Sequence, residues 1–399
     1  MDIRSVFLNG VLEEEVYIQS SPDYEVKSEE DKVLRLRKAL YRLKQALRVW
    51  NSRIDKYFQQ NGFTKCPYEH ALYIKIMNGD ILIVCLCMDD LIFTDNNLNL
   101  IKELKKAVAK KFEMTDIGLM AYYFGIEVKQ KGEGIFISQE NYAKEILKKF
   151  KMDDCKPINT PVECGVKLSK HDEGESIDPT FFKSLVRSLH YLMCTRPDIF
   201  YAVGLVSRYM ENPTTTHFKA AKKILHHIKG TIDFGLFYSI SNDYKLVGYS
   251  DWGGDIDDRK STGGFVFFIR NTVFTWMLNK QLIVTLSTCE AKYIAATLCV
   301  CHIIWLRNLL KELDLLQEEP TEICVNNKSA IVLAKNPIFH DRSKHSNTCY
   351  HYIRECIAKR DVQMEYVKSQ DQIADIFTKP LKFEDFTRLR SLFGMVKQV

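Results

Sequence analysis

The alternation of apolar and polar positions predicts regular structure along most of the first 150 residues. Apolar residues at helical spacing predict helices over 33–60, 98–112 and 139–150, and shorter apolar runs predict strands over 72–76, 81–88 and 135–138. Asn78 and Gly79 separate two of these strands and are typical of a tight hairpin. A stretch rich in proline and glycine over 153–179 then predicts a linker or surface loop.

The rest of the chain begins with two helical patterns and continues with strands and helices. The pattern predicts helices over 181–210 and 215–230, strands over 245–250, 264–269 and 272–277, a helix over 288–313, a strand over 321–325, helices from 328 and over 350–358, a strand over 362–367 and a last helix from near 371. Three successive strands followed by alternating helices and strands are typical of a mixed sheet with helices on its faces. The predicted fold class is therefore α+β, or mixed α/β.

Composition and charge narrow the class of protein. The 399 residues are 46% hydrophobic and 27% charged, which predicts a folded chain of two or three domains. The net charge of +5 is compatible with a polyanionic partner without requiring one. Twelve scattered cysteines without a repeated spacing predict reduced, buried thiols rather than disulfides, and His302 beside Cys301 lacks the second ligand pair of a zinc site.

No targeting segment is predicted. Charges occur from the second residue onward, which does not fit a secretory signal. The longest uninterrupted apolar run, 81–88, is too short to span a bilayer. We therefore expect an intracellular protein, in the cytoplasm or nucleus, that is neither secreted nor inserted in a membrane.

Two adjacent carboxylates, Asp89 and Asp90, end one of the most apolar strands. Carboxylates packed side by side are unfavourable unless a cation neutralises them. A divalent-metal site for phosphoryl transfer is one interpretation. The other is a solvated turn that ends a buried strand.

The surroundings of this pair resemble a known family. The motifs are MDIRSVFLNG over 1–10, EEEVYI over 13–18, ALYRLKQALRVW over 39–50 and CMDDLI over 87–92. In this order they resemble the reverse transcriptase of copia-type LTR retrotransposon Pol polyproteins. The resemblance implies a palm in which Asp2, Asp89 and Asp90 hold two Mg²⁺ ions, with Mn²⁺ as the alternative, for a two-metal mechanism. It also implies an RNA template, a DNA primer and deoxynucleoside triphosphates as partners.

Some positions depart from the family pattern. Arg42 stands where the family has glycine, Leu47 where it has proline, and Cys87 where it has tyrosine. The chain also begins one residue before Asp2, without the fingers region that the family carries upstream. We therefore expect Asp2 to fray at the terminus and polymerase activity to be low or absent.

A second set of carboxylates lies in the last third of the chain. Asp251 ends a predicted strand, Glu290 opens the long helix, and Asp375 follows the last strand. Three carboxylates over one sheet edge suit a metal-assisted nuclease. Each also has a structural alternative: a turn residue, a capping box with Ser287, and a first-turn carboxylate favoured by the helix dipole.

This region resembles the ribonuclease H of the same family, through DDRKSTGG over 257–264, LSTCEA over 286–291 and AKNPIFHDRSKH over 334–345. The resemblance implies that Asp251, Glu290 and Asp375 are three of four metal-binding carboxylates, acting on an RNA–DNA hybrid. At the fourth position Asn326 replaces the family's aspartate, and two residues are missing after Asp251. Because a neutral amide oxygen is a weaker Mg²⁺ ligand, we expect a folded but impaired nuclease.

The resemblance divides the chain into three predicted domains: 1–165 as a palm and thumb remnant lacking fingers, 166–240 as a helical connection, and 241–399 as a ribonuclease H-like domain. Lysines at helical spacing near 102–106 and 219–223 suggest either contacts with a nucleic-acid backbone or solvated helix faces. Four hypotheses remain: an enzyme relic impaired at both sites, a working polymerase or nuclease, a non-catalytic nucleic-acid-binding relic, and a product without a role. The oligomeric state stays open.

Overall fold

The chain forms two compact units in the computed structural model. The structure describes residues 1–19, 33–166, 168–172, 174–241, 243–254, 257, 260–281, 284–285, 287–335 and 347–398. One unit comprises Met1–Met120 with Asn308–Leu316, and the other comprises Ala121–Arg307 with Gln317–Val399. The three-domain division stays a prediction.

The first unit is built on a six-stranded sheet. Its elements are β1 (Asp2–Ile3), β2 (Tyr17–Gln19), β3 (Val33–Arg35), α1 (Ala46–Gln60), β4 (Thr64–Lys65), β5 (Leu72–Met77), β6 (Asp80–Cys87), β7 (Asp90–Asp95), α2 (Leu98–Lys111) and β8 (Met114–Thr115). The sheet has the order β4-β5-β6-β7-β1-β8, and β2 and β3 form a separate ribbon. Trp50, Ile54 and Phe58, spaced four residues apart on α1, are fully buried in the core of this unit.

The hairpin and the α2 helix are confirmed, whereas the first predicted helix is wrong over half its length. Asn78 and Gly79 both have positive φ, at 53° and 88°, as a two-residue hairpin turn requires. Helix α1 begins only at Ala46, and Val33–Arg35 instead forms an exposed strand paired with β2. Arg42, at φ 73°, has a left-handed backbone that a helix cannot contain.

The second unit contains two five-stranded sheets and most of the helices. From Ala121 onward the elements are β9 (Tyr122–Tyr123), β10 (Ile126–Lys131), β11 (Gly134–Ser138), α3 (Glu140–Lys149), α4 (Pro179–Leu192), α5 (Phe200–Val206), α6 (Thr215–Lys229), β12 (Phe234–Ser239), β13 (Leu246–Gly253), β14 (Thr262–Ile269), β15 (Thr272–Lys280), α7 (Thr288–Glu312), β16 (Thr321–Val325), α8 (Lys328–Lys335), α9 (Asn347–Ala358), β17 (Val362–Tyr366), α10 (Asp375–Thr378), α11 (Phe383–Leu392) and β18 (Met395–Lys397).

The mixed sheet predicted for the last third of the chain is confirmed. Its order is β15-β14-β13-β16-β17, with an antiparallel meander from β13 to β15 and parallel pairing of β16 with β13 and β17. The other sheet, β18-β12-β11-β10-β9, was predicted only at β11. It joins strands that are far apart in sequence, so no local pattern of apolar and polar residues predicted it.

Helix α7 is long and apolar enough, by length and composition alone, to cross a bilayer. Half of its apolar window is buried inside the fold.

The eleven described cysteines are free thiols, but their predicted burial holds for only some of them. Cys164, Cys194 and Cys301 are exposed.

Candidate active sites

The first site, comprising Asp2, Asp89 and Asp90, is built around a tight hairpin tip. Strand β6 ends at Cys87 and β7 begins at Asp90, so Met88 and Asp89 form the connecting turn. Met88 has φ 54°, and its carbonyl oxygen accepts a hydrogen bond of 3.0 Å from the indole Nε1 of Trp50. A fully buried core side chain therefore fixes the turn that carries Asp89.

Asp2 lies inside the sheet, and the expectation that it frays is wrong. Its strand is paired on both sides, with Asp2 opposite Asp90 of β7 and opposite Thr115 of β8. The Ile3 N–H donates to the carbonyl of Asp89 at 2.9 Å. Because residues directly opposite on antiparallel strands project to the same face, the carboxylates of Asp2 and Asp90 share one side of the sheet.

The electrostatics of the first site follow from this crowding. All three aspartates are half-buried. Burial, followed by the charges of Asp89 and Asp2, raises the pKa of Asp90. Like charges placed opposite each other on a sheet are destabilising, so a cation at this face would stabilise the arrangement.

The second site, comprising Asp251, Lys292, Asn326 and Asp375, lies where β13, β16, α7 and α10 meet. Asp251 of β13 and Asp375, the first residue of α10, are buried, and the Thr378 hydroxyl donates to Asp251 Oδ2 at 3.1 Å. Lys379 Nζ lies 2.6 Å from Asp375 Oδ2. Burial, followed by hydrogen bonding to Asp251, raises the pKa of Asp375 to about 7.

Gln372, which no sequence pattern indicated, aligns the elements of the second site. Its side chain is fully buried, and Nε2 donates to the carbonyls of Ser250 and Cys324 at 3.1 and 3.2 Å. Its Oε1 accepts from the Ala374 N–H at 3.2 Å. One amide thus ties the segment before α10 to the ends of β13 and β16.

Helix α7 brings Lys292 to Asp251. Lys292 Nζ lies 3.2 Å from Asp251 Oδ1 and donates a hydrogen bond to Asn326 Oδ1. The Glu290 N–H donates to Ser287 Oγ at 3.2 Å, which agrees with half of the capping-box alternative. Positions 290 and 292 lie about 200° apart around a helix, so their Cα–Cβ bonds project to nearly opposite sides of α7. A signal for Lys292 existed, since it is the lone charged residue between Glu290 and Arg307.

Comparison with known proteins identifies the family of the chain. Residues 1–164 match the protein family described as reverse transcriptase (RNA-dependent DNA polymerase). The chain is 35% identical over 399 residues to the retrovirus-related Pol polyprotein from transposon RE2 of Arabidopsis thaliana, covering 100% of the chain and 27% of that polyprotein. It is 36% identical over 407 residues to the one from transposon TNT 1-94 of Nicotiana tabacum, covering 99% and 30%. The chain belongs to the copia-type retrotransposon Pol polyprotein family.

The chain spans less than a third of the length of these curated relatives of the copia-type family. Among solved structures, LC11-RNase H1 in complex with an RNA/DNA hybrid is 15% identical and covers 32% of this chain and 88% of its own, at a TM-score of 0.25.

Neither predicted set of copia-type metal ligands is assembled as a trio. Within the described ranges, no three His, Cys, Asp or Glu side chains are grouped to hold a metal ion. The donors of the first site are all carboxylates, which suits Mg²⁺. Those of the second site do not suit it, because Asn326 is neutral and Asp251 and Asp375 already contact ammonium groups. Three stretches that carry the resemblance, at 258–259, 286 and 336–345, lie outside the described residues.

Proposed function

We propose that this copia-type reverse transcriptase and ribonuclease H segment binds template and primer and extends the primer at the first site, and that its second site does not cleave a hybrid. The carrying observation is the position of Asp2 directly opposite Asp90, with Asp89 in the adjoining turn. Three aspartates in or next to one hairpin tip support the proposal.

The residues of the first site have distinct roles in this proposal. Asp2, Asp89 and Asp90 would hold Mg²⁺ or Mn²⁺, and Trp50 keeps the turn in place. The bound ions would activate the primer 3′-hydroxyl and stabilise the leaving pyrophosphate. An RNA template, a DNA primer and deoxynucleoside triphosphates are the partners proposed from the family.

Two departures lower the expected rate of extension without removing the ligands. Cys87, opposite Asp90 on β6, supplies no aromatic surface beside the primer end. Arg42 has a left-handed backbone that glycine adopts more readily. We therefore expect slow extension.

Primer extension on an RNA template tests the first site directly. The full chain is assayed with Mg²⁺ and then with Mn²⁺, beside Asp89→Asn and the matched surface control Asp154→Asn, whose carboxylate is exposed. The proposal expects extension by the wild type and by the control, and its loss in Asp89→Asn. Extension that survives Asp89→Asn would contradict the proposal. So would a folded wild type that binds primer and template but extends with neither ion.

Binding without catalysis is the second candidate function, and the second site favours it. Asn326 stands where the resemblance implies an aspartate, and the Lys292 ammonium lies against both Asp251 and Asn326. Salt-dependent binding of an RNA–DNA hybrid in the presence of a chelator, with no cleavage when Mg²⁺ is added, would support this function. Cleavage that is lost in Asp251→Asn would exclude it.

A further inference from the structure

An ammonium group lies at the centre of the second site. Lys292 Nζ bridges Asp251 Oδ1, at 3.2 Å, and Asn326 Oδ1. The side chains of Lys292 and Asp251 are 13% and 4% exposed. Asp251 Oδ1 is buried and accepts no hydrogen bond from the described residues, so the ion pair with Lys292 supplies its neutralisation.

Each aspartate of the second site has a lysine ammonium beside it. Asp251 faces Lys292, Asp375 faces Lys379 at 2.6 Å, and Asn326 contributes a neutral amide. An aspartate at 326 would add a negative charge beside Asp251, and a glutamate at 292 would remove the ammonium and add another negative charge. Lysine at 292 and asparagine at 326 are therefore a matched pair.

We infer that Lys292 is a built-in counter-ion that takes the place of a divalent cation between Asp251 and Asn326. The second site is consequently stable and closed to metal ions. This inference explains why the second site does not cleave a hybrid in the proposed function. It rests on that proposal only in taking the divalent metal from the family.

The local geometry supports the replacement of a divalent cation by the Lys292 ammonium. Asn326 directly follows β16, and β16 is the parallel neighbour of β13, which carries Asp251. The four-carbon stem of a lysine crosses from α7 to both strand ends, and its ammonium presents three donors to the oxygens there. Mg²⁺ would require these same oxygens at about 2.1 Å, which an ammonium in contact with them prevents.

Metal-dependent unfolding tests the inference. All proteins carry Asp89→Asn, so that any metal response comes from outside the first site. The variants are Lys292→Glu with Asn326→Asp, Lys292→Met, and the charge-reversal control Lys311→Glu near the exposed end of α7. Thermal unfolding is followed with a chelator and with millimolar Mn²⁺, and Mn²⁺ binding is measured by titration calorimetry.

The inference expects no Mn²⁺ response from the parent or from Lys311→Glu. The double variant should have a lowered Tm in chelator, should recover in Mn²⁺ and should bind the ion. If it does not fold in chelator, refolding on addition of Mn²⁺ gives the same support, and Lys292→Met should show a weaker Mn²⁺ response.

Two results would overturn the inference. One is a Mn²⁺-dependent rise in the Tm of the parent that Asp251→Asn removes. The other is a folded double variant that ignores Mn²⁺. Because the background lacks Asp89, a failure of primer extension bears on neither result.

Discussion

The two carboxylate sites of this chain solve one electrostatic problem in different ways. In the first, Asp2, Asp89 and Asp90 crowd one hairpin tip, and within the described ranges no ion pair involves them. In the second, Asp251 and Asp375 are more deeply buried and each contacts a lysine. Under the proposed function, the first site takes a metal ion as its counter-ion, whereas the second site has lysine ammonium groups in contact with its aspartates.

The two sites differ in their side-chain contacts and not in their sequence motifs. Both sites have aspartates at strand or helix ends, and both resemble catalytic sets of the family. What separates them is the side chain opposite the carboxylate. For Asp90 it is another aspartate, and for Asp251 it is Lys292.

Removing the anchor of the first site is expected to have the largest effect. Trp50→Ala deletes a fully buried side chain and its hydrogen bond to Met88, and should lower the free energy of unfolding of the first unit by about 3–5 kcal/mol. Extension should be lost as well. Denaturant unfolding measures the loss, and the conservative Trp50→Phe should cost about 1 kcal/mol through the lost donor. A Trp50→Phe protein with wild-type stability and extension would show that the hydrogen bond does not hold the turn.

The second site should give stability a pH dependence of defined sign. Because the pKa of Asp375 is raised to about 7 in the folded state, the folded chain holds this proton more tightly than the unfolded chain. The free energy of unfolding of the second unit should therefore fall as pH rises from about 4 to about 7. Denaturant titrations across this range measure it, and Asp375→Asn should flatten the curve. An unchanged slope in Asp375→Asn would assign the dependence to another group.

The elements with strong local signals were predictable from the sequence. The β5–β6 hairpin and α2 follow from alternation, a turn dipeptide and helical spacing. The helix predicted over Val33–Arg35 was wrong. The residues of this strand are all exposed, so their pairing with β2 produces no alternation of apolar and polar positions. Asp251 and Asp375 were identified as strand-end and helix-start carboxylates. Lys292 was missed because its partners lie 41 and 34 positions away along the chain.

Lysines on α2 should contribute differently to nucleic-acid binding, according to whether they already form an ion pair. Lys105 Nζ is 2.7 Å from Asp116 Oδ2, whereas Lys106 is exposed and makes no described ion pair. If the exposed face of α2 contacts nucleic-acid phosphates, Lys106→Gln lowers the dependence of log K on log salt by about 0.9, and Lys105→Gln changes it less. Fluorescence anisotropy with a hybrid at several salt concentrations measures both. Equal slopes for Lys106→Gln and wild type would leave this face as solvated surface.

The smallest expected effect concerns a departure from the family pattern. Arg42 has φ 73°, a region that glycine occupies at lower cost, so Arg42→Gly should stabilise the first unit by about 1 kcal/mol. The control Arg48→Gly, within α1, should destabilise the first unit by a similar amount. Chemical unfolding distinguishes the two signs, and destabilisation by Arg42→Gly would mean that the arginine side chain makes a contact worth more than the strain.

Site-resolved Mn²⁺ binding tests the difference between the two sites most directly. Titration calorimetry on the full chain, in the presence of primer and template, compares the wild type with Asp89→Asn and Asp251→Asn. We expect Mn²⁺ binding to be lost in Asp89→Asn and to be unchanged in Asp251→Asn. Binding that survives Asp89→Asn but disappears in Asp251→Asn would contradict the account, because the metal would then occupy the site that Lys292 fills.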